Sequence, residues 1–276
     1  FKAIARGALD LEPKPDDFKN YDYLLNKLKL LSKVPVANFA KIPKLAKKKK
    51  DSNRLVDPII QTEYTNLVQA NPLSHSNIIK KARQSMISIV GIVSSTGGPE
   101  TLVKVLGGFP ENFSAAIVVV QHMSVGFDSH FASWLDKECK LSVMMASHGT
   151  KLTPGTVIMA PKDFHLTIDI TGRILLDKKT NPYKGHKPSG NVLLNSLSKN
   201  YSGRSIGVVL TGMGDDGADG LMSMRKSGCI TLTQDKESSI VYGMPKMAYD
   251  NGASMAAFSK DKITNYIVNL VTDSNS

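Results

Sequence analysis

The stretch ISIVGIVSSTGGPETLVKVL, residues 87–106, decides the fold. Residues 87–93 are nearly continuous in Ile and Val, the composition of a strand with both faces buried. Ser94-Ser95-Thr96-Gly97-Gly98 then forms a glycine-containing turn, and residues 99–106 return to helical spacing. The same unit recurs twice. Residues 115–121 lead through a turn to a helix-period segment at 127–138, and residues 205–211 lead to one at 216–226. Strand, turn and helix in repetition imply right-handed crossovers. The expectation is an α/β fold: a doubly wound, mainly parallel sheet with helices on both faces. Between these units, 155–160, 165–170 and 173–176 read as a small β-hairpin insertion with Thr171-Gly172 as its turn.

Outward from this block the texture changes. In residues 16–33 the apolar positions Phe18, Tyr21, Leu24, Leu25, Leu28 and Leu31 recur at helical spacing behind the start signal Pro15-Asp16-Asp17. Residues 34–85 hold no sustained period; Pro35, Pro43, Pro58 and Pro72 punctuate a Lys-, Asn- and Ser-rich stretch that reads as a linker. Three units are expected: residues 1–34, a basic polar linker at 35–85, and a main domain at 86–276. The chain opens on Phe1, as a fragment or a processed chain would.

Composition removes several classes. In 276 residues, 41% hydrophobic and 21% charged is ordinary for a globular protein. The longest apolar runs, such as 115–120, fall far short of the ~20 residues of a membrane-spanning helix, and no secretory leader is visible, so neither membrane insertion nor export is expected. Cys139 and Cys229 make no disulfide framework and have no metal-ligand spacing; a reducing cytoplasm is the simplest setting. The formal charge of +11 suggests nucleic acid, but residues 41–54 alone carry seven basic side chains against the single acid Asp51. The run Lys47-Lys48-Lys49-Lys50 has no interleaved aromatics for base stacking, so a solvated linker explains it and nucleic acid is not an expected partner.

In a parallel sheet the functional groups gather at the carboxyl ends of the strands. Ser95 follows the first strand, Gln121-His122-Met123 the second, and Thr211-Gly212-Met213-Gly214-Asp215-Asp216-Gly217 the later one. A hydroxyl, an imidazole and a carboxylate therefore leave one edge of the sheet. That set suits nucleophilic acyl chemistry, in which histidine takes the serine proton and the acid orients the imidazole. Each piece also has a structural reading. Ser-Thr-Gly-Gly can be a helix cap or phosphate turn, the histidine a hydrogen-bonded structural residue, and Asp216 a cap of the following helix. The pattern alone leaves both open. A phosphate- or nucleotide-binding module is the rival, although the chain lacks the Gly-Lys-Ser/Thr ending of a phosphate loop and the dinucleotide glycine fingerprint.

These residues fall in ordered motifs: Ser95-Thr96-Gly97-Gly98; Gln121-His122-Met123 with Gly126-Phe127; Ala160-Pro161 with Asp163 and His165; His186-Lys187-Pro188-Ser189; Leu210-Thr211-Gly212-Met213-Gly214 with Asp216-Gly217-Ala218; and Gly243-Met244-Pro245. With them, residues 86 to about 273 resemble the catalytic domain of the chemotaxis response-regulator protein-glutamate methylesterases. The resemblance implies a Ser95, His122, Asp216 triad, and with the geometry of the turn it suggests the backbone N–H groups of Thr96 and Met213 as oxyanion donors. It implies hydrolysis of glutamate γ-methyl esters on chemoreceptor helices, often with glutamine deamidation, and no cofactor or metal. His186, Lys187 and Pro188 become substrate-loop candidates. Two positions depart from the family: Val93-Ser94 stands where it commonly has Gly-Ala, and Asn191 where it usually has aspartate. A catalytically silent receptor-binding module on the same fold is the second rival.

The resemblance extends to the N-terminus. Residues 7–15, GALDLEPKP, look like the end of a phosphoacceptor receiver domain, with Lys14 at the position that contacts the phosphoryl group. Residues 16–33 would be that domain's last helix, and its phosphoacceptor aspartate would lie before Phe1. A histidine kinase is a partner only where a complete receiver is present.

Overall fold

The structure is a computed structural model that describes residues 8, 10, 21–34, 75–84, 86–124 and 126–274. Its helices are α1 Tyr21–Leu31, α2 His75–Arg83, α3 Gly98–Gly107, α4 Asp128–Glu138, α5 Gly190–Asn200, α6 Ala218–Lys226, α7 Met244–Asp250 and α8 Ile263–Ser274. Its strands are β1 Ile89–Ser94, β2 Ala116–Gln121, β3 Ser142–Met145, β4 Thr156–Met159, β5 His165–Ile168, β6 Ile174–Asp177, β7 Ser205–Val209, β8 Ile230–Gln234 and β9 Ala256–Phe258. Seven strands form one sheet in the order β3-β4-β2-β1-β7-β8-β9, and every pairing in it is parallel.

The central strands are apolar throughout because each face has its own core. Val90 and Ile92 of β1, Ile117 and Val119 of β2 and Ile206 and Val208 of β7 join Leu102, Phe131, Ile267 and Leu270 on one side. The alternate residues Ile89 and Val93, Val118 and Val120, and Val209 meet Leu194, Leu197, Leu221 and Met244 on the other. Each fully buried side chain of this kind contributes roughly 1.5–3 kcal/mol relative to exposure. The two layers also place the site. The chain leaving β1 turns into α3 on the first face, whereas the chain leaving the adjacent β7 turns into α6 on the second. Connections that diverge in this way open a crevice at the carboxyl ends of the two strands.

Several expectations change. Residues 155–160 are not part of the hairpin: Thr156–Met159 is a parallel strand between β3 and β2. A short apolar run carries no signal of its pairing partner, and only β5 and β6 form the antiparallel pair, with Gly172 at φ 80° in its turn. The span read as linker contains α2, whose Ile78 and Ala82 are buried in the first core, so the packed domain begins before residue 86. Nine residues with four charged or amide side chains gave too weak a stripe to register. Strand β7 ends at Val209, two residues early, because Thr211 leaves the ladder and takes the Gln234 Oε1 on its N–H instead. The first helix runs over Tyr21–Leu31; residues 16–20 and Lys14 lie outside the described residues. Leu25 and Leu28 of that helix are exposed, and Lys27 Nζ meets Asp10 Oδ2 at 2.8 Å.

Candidate active site

Register brings the first two candidates together. Ser94 pairs with Gln121 across β1 and β2, and His122 N–H donates to the Ser94 carbonyl at 3.0 Å. Ser95 and His122, the next residue on each chain, therefore leave adjacent strand ends side by side. Ser95 is buried, and its own N–H donates to the Thr211 carbonyl at 3.0 Å, which draws the turn after β7 against it. That approach demands glycine at 212, where a Cβ would lie 2.8 Å from Ser95 Cβ and 2.2 Å from Met244 Sδ.

His122 Nε2 is 2.8 Å from Asp216 Oδ2. Asp216 is fully buried and does not cap α6, whose N-cap is Gly217 at φ 93° with no side-chain cap bond. Its carboxylate instead accepts the N–H of Gly190 at 2.6 Å, the Ser189 hydroxyl at 2.8 Å and the Asn191 N–H at 3.0 Å, all from the start of α5. Burial by itself would raise its pKa. The hydrogen bond and charge of His122, with the N–H groups of Asn191 and Gly190, outweigh that and hold it at about 2. A helix N-terminus aimed at the carboxylate adds to the same effect. Because an ionised carboxylate only accepts, Nε2 carries the imidazole proton. In the neutral tautomer Nδ1 is then the acceptor nitrogen, and it is buried and without a partner among the described residues. The imidazole thus has a free acceptor on its Nδ1 edge.

Two peptide planes are fixed beside Ser95. The Ser95 carbonyl accepts from Gln121 Nε2 at 2.9 Å and from Gly98 N–H at 2.8 Å. In a trans peptide the N–H points opposite to the C=O, so the Thr96 N–H is turned away from Gln121. The Gly212 carbonyl likewise accepts from Gly243 N–H at 3.1 Å and Met244 N–H at 2.8 Å, which directs the Met213 N–H away from α7. Neither the Thr96 nor the Met213 N–H donates to a group among the described residues. Two unpaired donors flanking a serine are what a developing oxyanion needs.

Ser94 is a different kind of hydroxyl. It is fully buried and donates to Gln121 Oε1 at 2.7 Å, while the Gln121 amide donates onward to Ser95 O and His122 O. Val93 fits because Gly190 lies against it: a Cβ at 190 would stand 2.2 Å from Val93 Cγ1. Asn191 accepts the Gly220 N–H on Oδ1 at 2.8 Å, and its Nδ2 is buried without a partner among the described residues. Of the loop candidates, His186 stacks on His122, Lys187 Nζ is bound to the carbonyls of Lys178 and Thr180, and Pro188 is buried ahead of Ser189. The bracing by Gln121, Ser189 and Gly243 escaped the sequence reading. Amide and hydroxyl side chains at strand and helix ends look alike whether they support a site or not. Among the described residues no cluster of His, Cys, Asp or Glu could hold a metal ion, and no helix is long and apolar enough to cross a membrane.

Comparison with known proteins gives one answer. Residues 90–267 match the CheB methylesterase family. A protein-glutamate methylesterase/protein-glutamine glutaminase of Caldanaerobacter subterraneus is 34% identical over 278 residues, covering 99% of this chain and 72% of the relative. One of Burkholderia lata is 41% identical over 184 residues, covering 66% and 54%. The solved CheB methylesterase catalytic domain of Thermotoga maritima is similar at 37% identity and TM-score 0.65, covering 67% of this chain and 99% of that one. The chain spans between 54% and 74% of the length of such curated relatives.

Proposed function

The chain belongs to the CheB methylesterase family, and on that premise we propose that it hydrolyses glutamate γ-methyl esters on chemotaxis receptors and deamidates receptor glutamines, acting in the cytoplasm. The observation that carries this reading is His122 bound through Nε2 to an ionised, buried Asp216, with Nδ1 without a partner among the described residues and Ser95 on the adjacent strand end. Ser95 Oγ attacks the ester carbonyl while His122 Nδ1 takes its proton. The carbonyl oxygen gains negative charge and receives the N–H groups of Thr96 and Met213. The tetrahedral intermediate collapses, the C–O bond to methoxide breaks, and His122 delivers the proton so that methanol leaves. Water, deprotonated by His122, then attacks the acyl-serine and releases the glutamate carboxylate and Ser95. For a glutamine side chain the leaving group is ammonia and the remaining steps are the same. Asp216 stays ionised throughout and holds the imidazolium.

The test is methanol release from methylated receptor. Ser95→Ala removes only a hydroxyl and should abolish release while leaving the fold intact; substantial release by that variant would exclude the mechanism.

A further inference from the structure

The rings of His122 and His186 lie face to face, with centroids 4.2 Å apart and planes inclined by 7°. Of the two rings, that of His186 has no place in the proton relay. It sits at the end of a four-residue turn. Tyr183 and His186 exchange both backbone hydrogen bonds at 3.0 Å, and the central residues Lys184 and Gly185 have φ of 48° and 83°. Positive φ at both central positions is the type I′ pattern, a turn with little slack. The turn is braced on two sides. Lys184 Nζ reaches Asp219 at 2.7 Å and Asp215 at 3.2 Å, and the Lys187 carbonyl accepts Lys162 Nζ at 3.2 Å. Asp215 thus secures the loop that carries His186, while its neighbour Asp216 binds His122.

The bond to Asp216 leaves one freedom in the catalytic ring. Nε2 lies nearer the extension of the Cβ–Cγ bond than Nδ1 does, so a hydrogen bond there restrains rotation about that bond less firmly than one at Nδ1 would. Nδ1 lies well off the same axis and swings widely with it. Histidine χ2 has no sharp intrinsic minimum to prevent this. A flat ring against the imidazole face supplies the missing restraint. We infer that His186 is a positioning residue for the reaction, holding the plane of the His122 imidazole so that Nδ1 faces Ser95 while Nε2 meets Asp216. The inference rests on the esterase reading above.

The surroundings keep the second ring neutral, as stacking on an imidazolium requires. Burial lowers the His186 pKa, and His122 and Lys162 act in the same direction. Asp216 and Asp215 oppose them without reversing the shift. The remaining nearby cations are Lys184, which is paired with Asp215 and Asp219, and Lys187, which is bound to loop carbonyls. A neutral aromatic face then lies beside the charge that forms on His122 during the reaction.

The test compares His186→Ala, His186→Gln and His186→Phe in the full chain. For methanol release, Ala and Gln should lower kcat about tenfold, the scale of a lost aromatic pair, with KM within about twofold. Phe keeps the flat face and should recover most of that loss. A second readout needs no turnover: in Ser95→Ala protein, the ring-proton NMR signals of His122 should move downfield with His186→Ala and hold with His186→Phe. Unchanged kcat and unchanged His122 signals in the Ala variant would overturn the inference. So would a change confined to KM, or a loss of kcat that Phe does not recover. Absence of methanol release in the unaltered chain would instead remove the esterase reading, and the NMR comparison would still decide the stack.

Discussion

The side-chain amide of Gln121 donates to the carbonyl of Ser95 at 2.9 Å, and with the Gly98 N–H, which the same carbonyl accepts at 2.8 Å, it sets the peptide plane that follows β1. The same glutamine accepts from Ser94 and donates to the His122 carbonyl, so a single buried side chain ties Ser95 and His122 to one frame. Gln121→Met keeps the length and removes the amide. We expect kcat to fall by about 10- to 100-fold with little change in KM, because the peptide plane that directs the Thr96 N–H loses one of the two bonds that fix it. Thermal or urea unfolding should show a cost of about 1–3 kcal/mol, chiefly from the Ser94 hydroxyl left unpaired. Full activity in this variant would show that the amide does not set the site.

Ser94 and Ser95 should separate cleanly. Ser94→Ala loses a hydroxyl already committed to Gln121 and should retain methanol release within about tenfold, since one neutral hydrogen bond contributes about 1 kcal/mol. A Ser94→Ala chain as inactive as Ser95→Ala would make the supporting network, and not the nucleophile alone, decisive.

Asp216 has its pKa lowered to about 2 in the folded chain, against an ordinary value of 3.8. A depressed carboxylate stabilises the fold fully above the unfolded value, and the contribution disappears as pH falls through the folded one. The shift corresponds to about 2 kcal/mol at neutral pH. Urea unfolding should therefore show Asp216→Asn less stable than the unaltered chain at pH 7, with the gap closing between about pH 4 and pH 2. A gap that persists undiminished at pH 2 would contradict this. Activity at pH 7 should fall strongly, because an amide can no longer fix the Nε2–H tautomer.

Helix α2 belongs to the packed domain. Ile78 is 1% exposed, and Ile78→Ala should cost roughly 2–5 kcal/mol, read from urea unfolding. Limited proteolysis should leave a core beginning at or before His75. A stable, fully active core beginning at Met86 would show that the helix contributes nothing.

What the sequence carried depended on how local each signal was. Residues 87–93, 115–121 and 205–211 were legible as strands because two buried faces make them nearly continuous in Ile and Val, and the helices after them followed from period. The pairing of residues 156–159 was not legible, since Thr156–Met159 reads alike in a hairpin or a parallel ladder until its partner is known. The element β8 was not read as a strand: threonines at 231 and 233, both fully buried, interrupt its apolar run. At the site, Ser95, His122 and Asp216 stood out as chemistry at strand ends, and the structure brings His122 and Asp216 within 2.8 Å. The N–H groups of α5 that surround Asp216 were not legible, because backbone donors have no residue signature. The stacking of His186 on His122 depends on a turn whose geometry follows from φ at Lys184 and Gly185, and only one of those is glycine.

The central claim is that Ser95 is an activated nucleophile, and intact-mass spectrometry after treatment with a serine-reactive organophosphonate tests it most directly. The account predicts a single adduct on the peptide containing Ser95, absent from Ser95→Ala and strongly reduced in His122→Gln. An unlabelled chain, or equal labelling of Ser95→Ala, would contradict it.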